Sequence, residues 1–540
     1  MKLVSVKEMK LIEKEADANG LSFDQMMENA GQGLAEVING LVIEDGEREV
    51  FGLVGPGNNG GDALVALTHL LGDGWLARAY LVTRKKDPLV ERFEKAGGEV
   101  VVSEDDGELL GLHAFLQTAT IILDGLLGTG IKLPLKSNFA RIQSEVNSII
   151  NNIDVRPFVI AVDCPSGIDC DTGEAAAECI PADLTVTMAA VKQGQLKMPA
   201  YDLVGDLQVV DIGLPDDLQT LKSLHVEVAD AKKISAILPD RRADSHKGTF
   251  GVALIAAGSV NYTGAALLAG QAAYRIGAGL VTLAVPSLIH GVVGGQLAEA
   301  TWVLLPHELG VISESAADVL KKYMDRATAF LVGPGLGMED TTKDFIQSML
   351  TEKSVRENTS TRIGFLQSES DKKQETKNVL PPVVVDADGL KLLARIDHWY
   401  KLLPSIAVLT PHPGEMSVLT GLSIEEIQKD RQKIARDFAK DWGHVVVLKG
   451  AFTVIASPDG RIMVIPVASS ALARAGTGDV LAGLIVGLRA QGVEAFEAAV
   501  AGAWIHGQAG LYAASKLGTT ASVLAGDVLN SVSSVLADLN

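Results

Sequence analysis

Cysteine is scarce in this sequence. The three present, Cys164, Cys170 and Cys179, stand within sixteen positions, with no CxxC pair and no histidine beside them. That pattern excludes a disulfide framework and a cysteine-based zinc site. A surplus of positive charge is also lacking. Lys and Arg number 47 against 67 Asp and Glu, a formal net charge of -20, which argues against bulk electrostatic binding to nucleic acid or an anionic membrane. No uninterrupted apolar run reaches the roughly 20 residues of a membrane span. The opening MKLVSVKEMKLIEKEADANG carries charge throughout and lacks the apolar heart of a signal peptide. The expected ligand is therefore a small molecule and the expected compartment the cytoplasm.

What is present points to α/β architecture. A chain of 540 residues exceeds what one hydrophobic core usually serves, so two domains are expected. Short runs rich in Val, Ile and Leu (VFGLVG, ARAYLVT, TIILDGLLG, FVIAVDCPSG, LTVTMAA) alternate with segments of helical period such as FARIQSEVNSIINNI. This alternation predicts a mostly parallel sheet covered on both faces, preceded by one or two amphipathic helices. The pattern fades near LQVVDIGLPDD and resumes at GTFGVALIAAG, then GLVTLAVP, TAFLVGPGLG, PPVVVDADG, IAVLTPHPGE and HVVVLKG. The expected division is a first domain over 1–215, a linker and lead-in over 216–240, and a second domain over 241–540. Both domains are read as doubly wound α/β folds. The polar stretch at about 351–378 has no hydrophobic pattern and is expected to be a surface insertion.

In the first domain three strand ends are polar in the same way: GNNGGD (Gly57 to Asp62), DGLLGTG (Asp124 to Gly130) and DCPSGID (Asp163 to Asp169). Ligands of open α/β sheets bind beyond the carboxyl ends of the strands. Glycines free backbone amides for an anion there, and a helix beginning near Asp62 aims its positive end at the same place. Asn59, Asp124 and Ser166 offer hard oxygen ligands of the kind that suits an alkali or alkaline-earth ion. Any one such turn is explained by chain reversal and helix capping; three at strand ends favour a site. No GK[ST] closes a Walker loop.

These residues, with TVTMAAVKQG, resemble the NAD(P)H-hydrate epimerase domain over Met1 to Pro215. The resemblance implies a Rossmann-like domain that interconverts the R and S forms of hydrated NADH or NADPH with a bound potassium ion. It places Asn59, Asp124 and Ser166 on the potassium. It places Asn58, Asn59, Gly60, Gly61 and Asp62, and Gly128, Thr129, Gly130, Ile131, Lys132, Leu133 and Pro134, against the substrate. Asp163 stands at the reacting carbon as general acid/base, and Lys192 is a polar contact in the pocket, counted with the catalytic residues. Ala63 stands where the family more often has glycine. Asp163→Asn is expected to abolish epimerisation without unfolding the domain.

In the second domain, AGTGDVLAG sets two glycines and a threonine ahead of Asp479 at the apolar start of a helix. Backbone amides at such a start make an anion hole, and an Asp there takes a proton from a hydroxyl as phosphate approaches it. Together with TPHPGE, VVVLKGAFTV, VGPGLG, VVVDADGLKLLA and SVNYTGAALLAG, this run resembles the ribokinase-like NAD(P)H-hydrate dehydratases. The resemblance implies phosphorylation of the S hydrate by ADP, with Mg2+ neutralising phosphate charge, followed by elimination to NAD(P)H. It makes Asp479 the base and places Gly476, Thr477 and Gly478 on the transferring phosphate. Lys449, Gly450, Ala451, Phe452 and Thr453 line the nucleotide site. Ala265, a glycine of GPGLG (Gly335 or Gly337), His412 and Asp479 touch the hydrated dinucleotide. Ala475 replaces a family glycine, and Ser469 or Ser470 a frequent asparagine. The bland readings are a solvated strand-end lysine at 449 and a turn-capping histidine at 412.

The expected whole is a homo-oligomeric repair enzyme that binds neither nucleic acid nor membrane. Its rivals are a ribokinase-like small-molecule kinase fused to a non-catalytic nucleotide- or RNA-binding domain, and a pure binding module.

Overall fold

A computed structural model describes residues 1–42, 48–351 and 380–539 and separates the chain into two units, Met1–Val228 and Ala229–Asn540. Alternation along Glu49–Val54 sets the architecture of the first. Val50 and Val54 enter one buried cluster while Phe51 and Leu53 enter another on the opposite face, the two-sided burial that demands helices on both sides. The strands lie in the order Glu99–Val102, Leu76–Leu81, Glu49–Val54, Ile121–Gly125, Phe158–Val162, Leu184–Met188, Asp206–Val210. Every pairing is parallel. The winding reverses between Glu49–Val54 and Ile121–Gly125, the switch point at which doubly wound sheets hold ligands.

Two amphipathic helices precede this sheet, Val6–Ala18 and Phe23–Asn39. The first starts in a capping box: Glu8 N donates to Ser5 Oγ at 3.2 Å and Ser5 N donates to Glu8 Oε2 at 2.7 Å. The helix expected near Asp62 begins four residues earlier, as Asn58–Gly72 with Gly57 at its N-cap. Gly60 accounts for the difference. A Cβ there would lie 2.1 Å from the Gly55 carbonyl oxygen, so this glycine lets the first helical turn press against the preceding loop.

Within the second unit the sheet strands run Ile462–Val464, Val454–Ala456, Val445–Leu448, Val408–Leu409, Val383–Val385, Ala329–Val332, Val252–Ala256, Leu280–Pro286, Thr301–Leu305. They are parallel except where Val454–Ala456 pairs antiparallel with both neighbours. Helices Thr263–Arg275 and Thr477–Ala490 pack backbone to backbone, since a Cβ on Gly483 would meet the Ala269 carbonyl oxygen at 2.3 Å. Residues 216–240 carry the short elements Gln219–Lys222, Val226–Val228 and Ala231–Ile237. The insertion expected at 351–378 lies, apart from residue 351, outside the described residues.

Candidate active sites

The three polar strand ends of the first unit meet at one residue's backbone. Asn59 Nδ2 donates to Leu127 O at 3.0 Å, and Leu127 N donates to Ser166 Oγ at 2.8 Å. Ser166 in turn gives Asp124 both its hydroxyl, at 2.6 Å, and its amide, at 2.8 Å. Asp124 is fully buried. Burial pushes its carboxyl above the ordinary value against the pull of the Ser166 hydrogen bonds, and it forms no ion pair with the described Lys or Arg side chains. A carboxylate, a hydroxyl and the amide oxygen of Asn59 are therefore gathered without a paired cation among the described residues. The run from Gly128 to Pro134 leaves the sheet beside them, half-buried or exposed throughout, and a Cβ on Gly128 would stand 3.3 Å from Asn59 Cβ. Asn58 is exposed, Gly60 and Gly61 are buried, and Asp62 is half-buried.

Asp163 follows the strand Phe158–Val162 with φ of 60°, a left-handed turn that aspartate tolerates better than most residues. All its side-chain hydrogen bonds go to one oxygen. Met188 N at 3.0 Å, Thr187 Oγ1 at 3.1 Å and the Lys192 ammonium donate to Oδ1, and Gln195 Nε2 holds the Asp163 carbonyl at 2.7 Å. Lys192 is 1% exposed and also donates to Thr187 Oγ1 at 2.9 Å and Met188 O at 3.0 Å. This set of donors converges on Oδ1 and leaves Oδ2 without a hydrogen bond from the described residues.

In the second unit four neighbouring strands, Ala329–Val332, Val383–Val385, Val408–Leu409 and Val445–Leu448, end together. Asp386, just past the second of these, is 2% exposed and accepts from Thr410 Oγ1 at 2.7 Å and Lys449 Nζ at 2.6 Å. Glu415 lies 3.7 Å from the same ammonium. Burial pulls the Lys449 pKa down, but the carboxylates of Asp386 and Glu415 outweigh it and hold the pKa above its usual value. Lys449 is thus a half-buried, paired cation and not a solvated strand-end lysine. The helix Thr477–Ala490 points its start at this group: Gly476 caps it at φ 89°, and a Cβ on Gly478 would lie 3.7 Å from Lys449 Nζ. Asp479, in the first turn, accepts no hydrogen bond from the described residues. Burial first, then the nearby Asp386 charge, push its carboxyl up to about 7, with Lys449 opposing. A carboxyl so poised is suited to taking a proton near neutrality.

Around this centre, Ala265 is buried on Thr263–Arg275, and Gly335 packs so near that its Cβ would meet the Ala265 Cβ at 2.9 Å. His412 does cap a helix, Pro413–Thr420: its Nδ1 accepts from Gly414 N at 3.0 Å and Glu415 N at 3.3 Å. Its side chain remains 52% exposed, and burial of the rest lowers its pKa. Gly450 to Thr453 form a tight turn in which Thr453 Oγ1 donates to Gly450 O at 2.9 Å. Sequence reasoning missed the Arg431 guanidinium, which lies against Gly450 and donates to Leu448 O at 2.8 Å, and missed Asp386 and Glu415 as partners of Lys449. The available signal was a charged residue placed immediately after an apolar strand, as in VVVD.

Two families match the chain: NAD(P)H-hydrate dehydratase over residues 253–355 and 366–532, and YjeF-related protein N-terminus over residues 23–194. The bifunctional NAD(P)H-hydrate repair enzyme Nnr of Moorella thermoacetica is 35% identical over 525 residues, covering 95% of this chain and 92% of its own length. The enzyme of the same name from Escherichia coli K12 is 31% identical, covering 96% and 91%. The solved ADP/ATP-dependent NAD(P)H-hydrate dehydratase of Bacillus subtilis, co-crystallised with ATP and Mg2+, is 29% identical and covers 59% of this chain and 100% of its own, with a TM-score of 0.47.

Proposed function

Because the chain belongs to the bifunctional NAD(P)H-hydrate repair enzymes, epimerase in its first unit and nucleotide-dependent dehydratase in its second, we propose which residues carry each step. Asp479 is the base of the dehydratase, and the observation that supports this is a carboxyl with no hydrogen-bond partner among the described residues at the start of a helix facing Lys449. It takes the proton of the substrate hydroxyl as that oxygen attacks the terminal phosphorus of ADP, and the bond from that phosphorus to the AMP oxygen breaks, so that AMP leaves. The C–O bond of the resulting phosphate ester then breaks as the ring nitrogen's lone pair expels inorganic phosphate, and loss of a proton from the adjacent carbon restores the reduced ring. Gly476, Thr477 and Gly478 hold the transferring phosphate, and the turn Lys449 to Thr453 lines the nucleotide. Ala265, Gly335 and His412 contact the hydrated dinucleotide.

The donor nucleotide is ADP on this reading. Among the described residues no three His, Cys, Asp or Glu side chains converge as a metal site, which fits a Mg2+ that travels with the nucleotide phosphates. In the first unit Asp163 is the acid/base group and Lys192 its charge partner. Potassium fits Asn59, Asp124 and Ser166: they supply oxygens only, and the buried Asp124 carboxylate forms no ion pair with a cation among the described residues. Such an ion would neutralise Asp124 and tie the three strand ends together. The assembly is read as a cytoplasmic homo-oligomer, which sedimentation of the purified chain checks.

Incubating the chain with chemically hydrated NADH and either ADP or ATP, while following absorbance of the reduced ring, tests the whole scheme. Recovery of both epimers with ADP is expected. Recovery of half the substrate would remove the epimerase assignment, and recovery with ATP alone would overturn the choice of nucleotide. Gly478→Ala probes the cradle more narrowly. Its Cβ meets no described atom closer than 3.7 Å and a helix gains from losing a glycine, so stability should hold or rise. The methyl group nonetheless occupies the space where phosphate oxygens would sit, and nucleotide KM should climb by about tenfold or more. An unchanged KM would move the cradle elsewhere.

A further inference from the structure

Two carboxyl groups in the first unit face opposite circumstances. Asp163 receives three donors on Oδ1, one of them a buried ammonium. Asp62, in the opening turns of Asn58–Gly72, receives no hydrogen bond and forms no ion pair with the described residues, although it is half-buried. The segments that carry them leave the sheet two strands apart, with Ile121–Gly125 between, a spacing of about 10 Å at the ordinary separation of strands. The two segments thus flank the carboxyl end of the strand between them, where the site lies.

A third carboxyl group comes from the leading helix. Leu3–Val4 pairs with Val191–Lys192, matching Val4 to Lys192, and Val6 N donates to Asp171 Oδ1 at 2.7 Å, so the helix is fastened to the strand ends that hold the site. Its inward stripe of Met9, Ile12 and Ala16 includes the Glu13 position. The charged groups that bear on Asp62 are Asp163 and Glu13, which favour its neutral form, and Lys192 and Arg84, which oppose it. Burial is the largest influence, and the sum lifts the Asp62 pKa well above the usual carboxyl value. Burial and then the Asp163 charge raise the Glu13 pKa, with Lys192 and Lys10 opposing.

We propose that Asp62 is a second catalytic carboxyl group of the epimerase, acting across the substrate ring from Asp163 as acid to its base. The proposal rests on the assignment of Asp163 made above and adds the partner that a two-faced reaction needs. The ring nitrogen's lone pair forms a C=N bond as the carbon–oxygen bond breaks, and Asp62 gives its proton to the departing oxygen, which leaves as water. A second water adds to the opposite face, its oxygen bonds to carbon, the π pair returns to nitrogen, and Asp163 takes the released proton. The substrate keeps its formula with inverted configuration. One proton has passed from Asp62 to Asp163, and turnover in the reverse direction or exchange with solvent returns it.

The test follows the R and S hydrates in the full chain without nucleotide, so that only epimerisation is read. Asp62→Asn, nearly isosteric, should lower kcat at least 100-fold with little change in KM, and the fall in rate on the alkaline side should vanish from its residual activity. Asp62→Ala should regain rate in added formate, a response that a structural role does not give. The first unit's transition in denaturant unfolding of the full chain reports that each variant is folded where Asp62 lies. Asp62→Asn within threefold of the parent rate, or Asp62→Ala inactive and deaf to formate in a chain whose first unit keeps that transition, overturns the proposal. Full activity of Asp163→Asn would instead overturn the earlier assignment on which it rests.

Discussion

Asp479→Asn should abolish dehydration, reducing kcat by about 10²–10⁴-fold, the range general-base catalysis supplies, while epimerisation proceeds at the parent rate. The amide keeps the shape of the side chain and cannot accept the substrate proton. Absorbance of the reduced ring measures the first activity and separation of the two hydrates the second. Loss of both would mean that the sites are not independent. Retention of dehydration would dismiss Asp479 as base.

The same carboxyl gives the reaction its pH dependence. With a pKa near 7, Asp479 is largely protonated at pH 6, so kcat/KM with ADP should rise about tenfold per pH unit below that value and level off above it. Stability should move the other way. The folded pKa exceeds that of the unfolded chain, so the contribution from Asp479 is intact below pH 4 and lost as pH rises through about 7. At pH 8 the isosteric Asp479→Asn variant should therefore be more stable than the parent, by ~2 kcal/mol after allowance for solvent screening. At pH 4 the two should melt alike. A base kept in a setting that disfavours its charge is the familiar exchange of stability for activity.

How much of this was legible in the sequence depends on whether the constraint is local. Strand runs such as VFGLV and HVVVL announce themselves because both faces are buried, and the turns after them announce themselves because an anion site needs bare backbone. Gly57, Gly476 and Gly478 were visible for that reason. The start of the helix at Asn58 was not, because Gly60 reads as a loop residue until its approach to Gly55 is known. Partners drawn from distant segments left no trace either. Asp386 and Lys449 stand 63 positions apart and meet only because Val383–Val385 and Val445–Leu448 flank the same strand. Glu13 lies four residues from Met9 on a helix whose period looks the same whether that position faces water or a buried lysine. His412 satisfied the bland reading as a cap without losing its place beside Glu415.

Lys192 shows what such a hidden partner changes. Asp163→Asn should still abolish epimerisation, by about 10²-fold or more, but the first unit should not keep its full stability, as the sequence alone suggested. Removing the carboxylate leaves an ammonium that is 1% exposed with Thr187 Oγ1 and Met188 O as its remaining acceptors among the described residues. An orphaned buried charge of this kind costs about 3–5 kcal/mol. Denaturant unfolding of the full chain, read on the first unit's transition, measures the loss. Lys192→Met alone should be destabilised to a similar degree, since it strands the Asp163 carboxylate instead. The double variant removes both charges and fills the space with an apolar chain of like length, so it should recover most of the stability and none of the activity. A coupling of more than about 2 kcal/mol in that cycle fits a pair held together by charge. Simple additivity would mean that Lys192 and Asp163 do not depend on each other, and the role of Lys192 as charge partner would have to be abandoned.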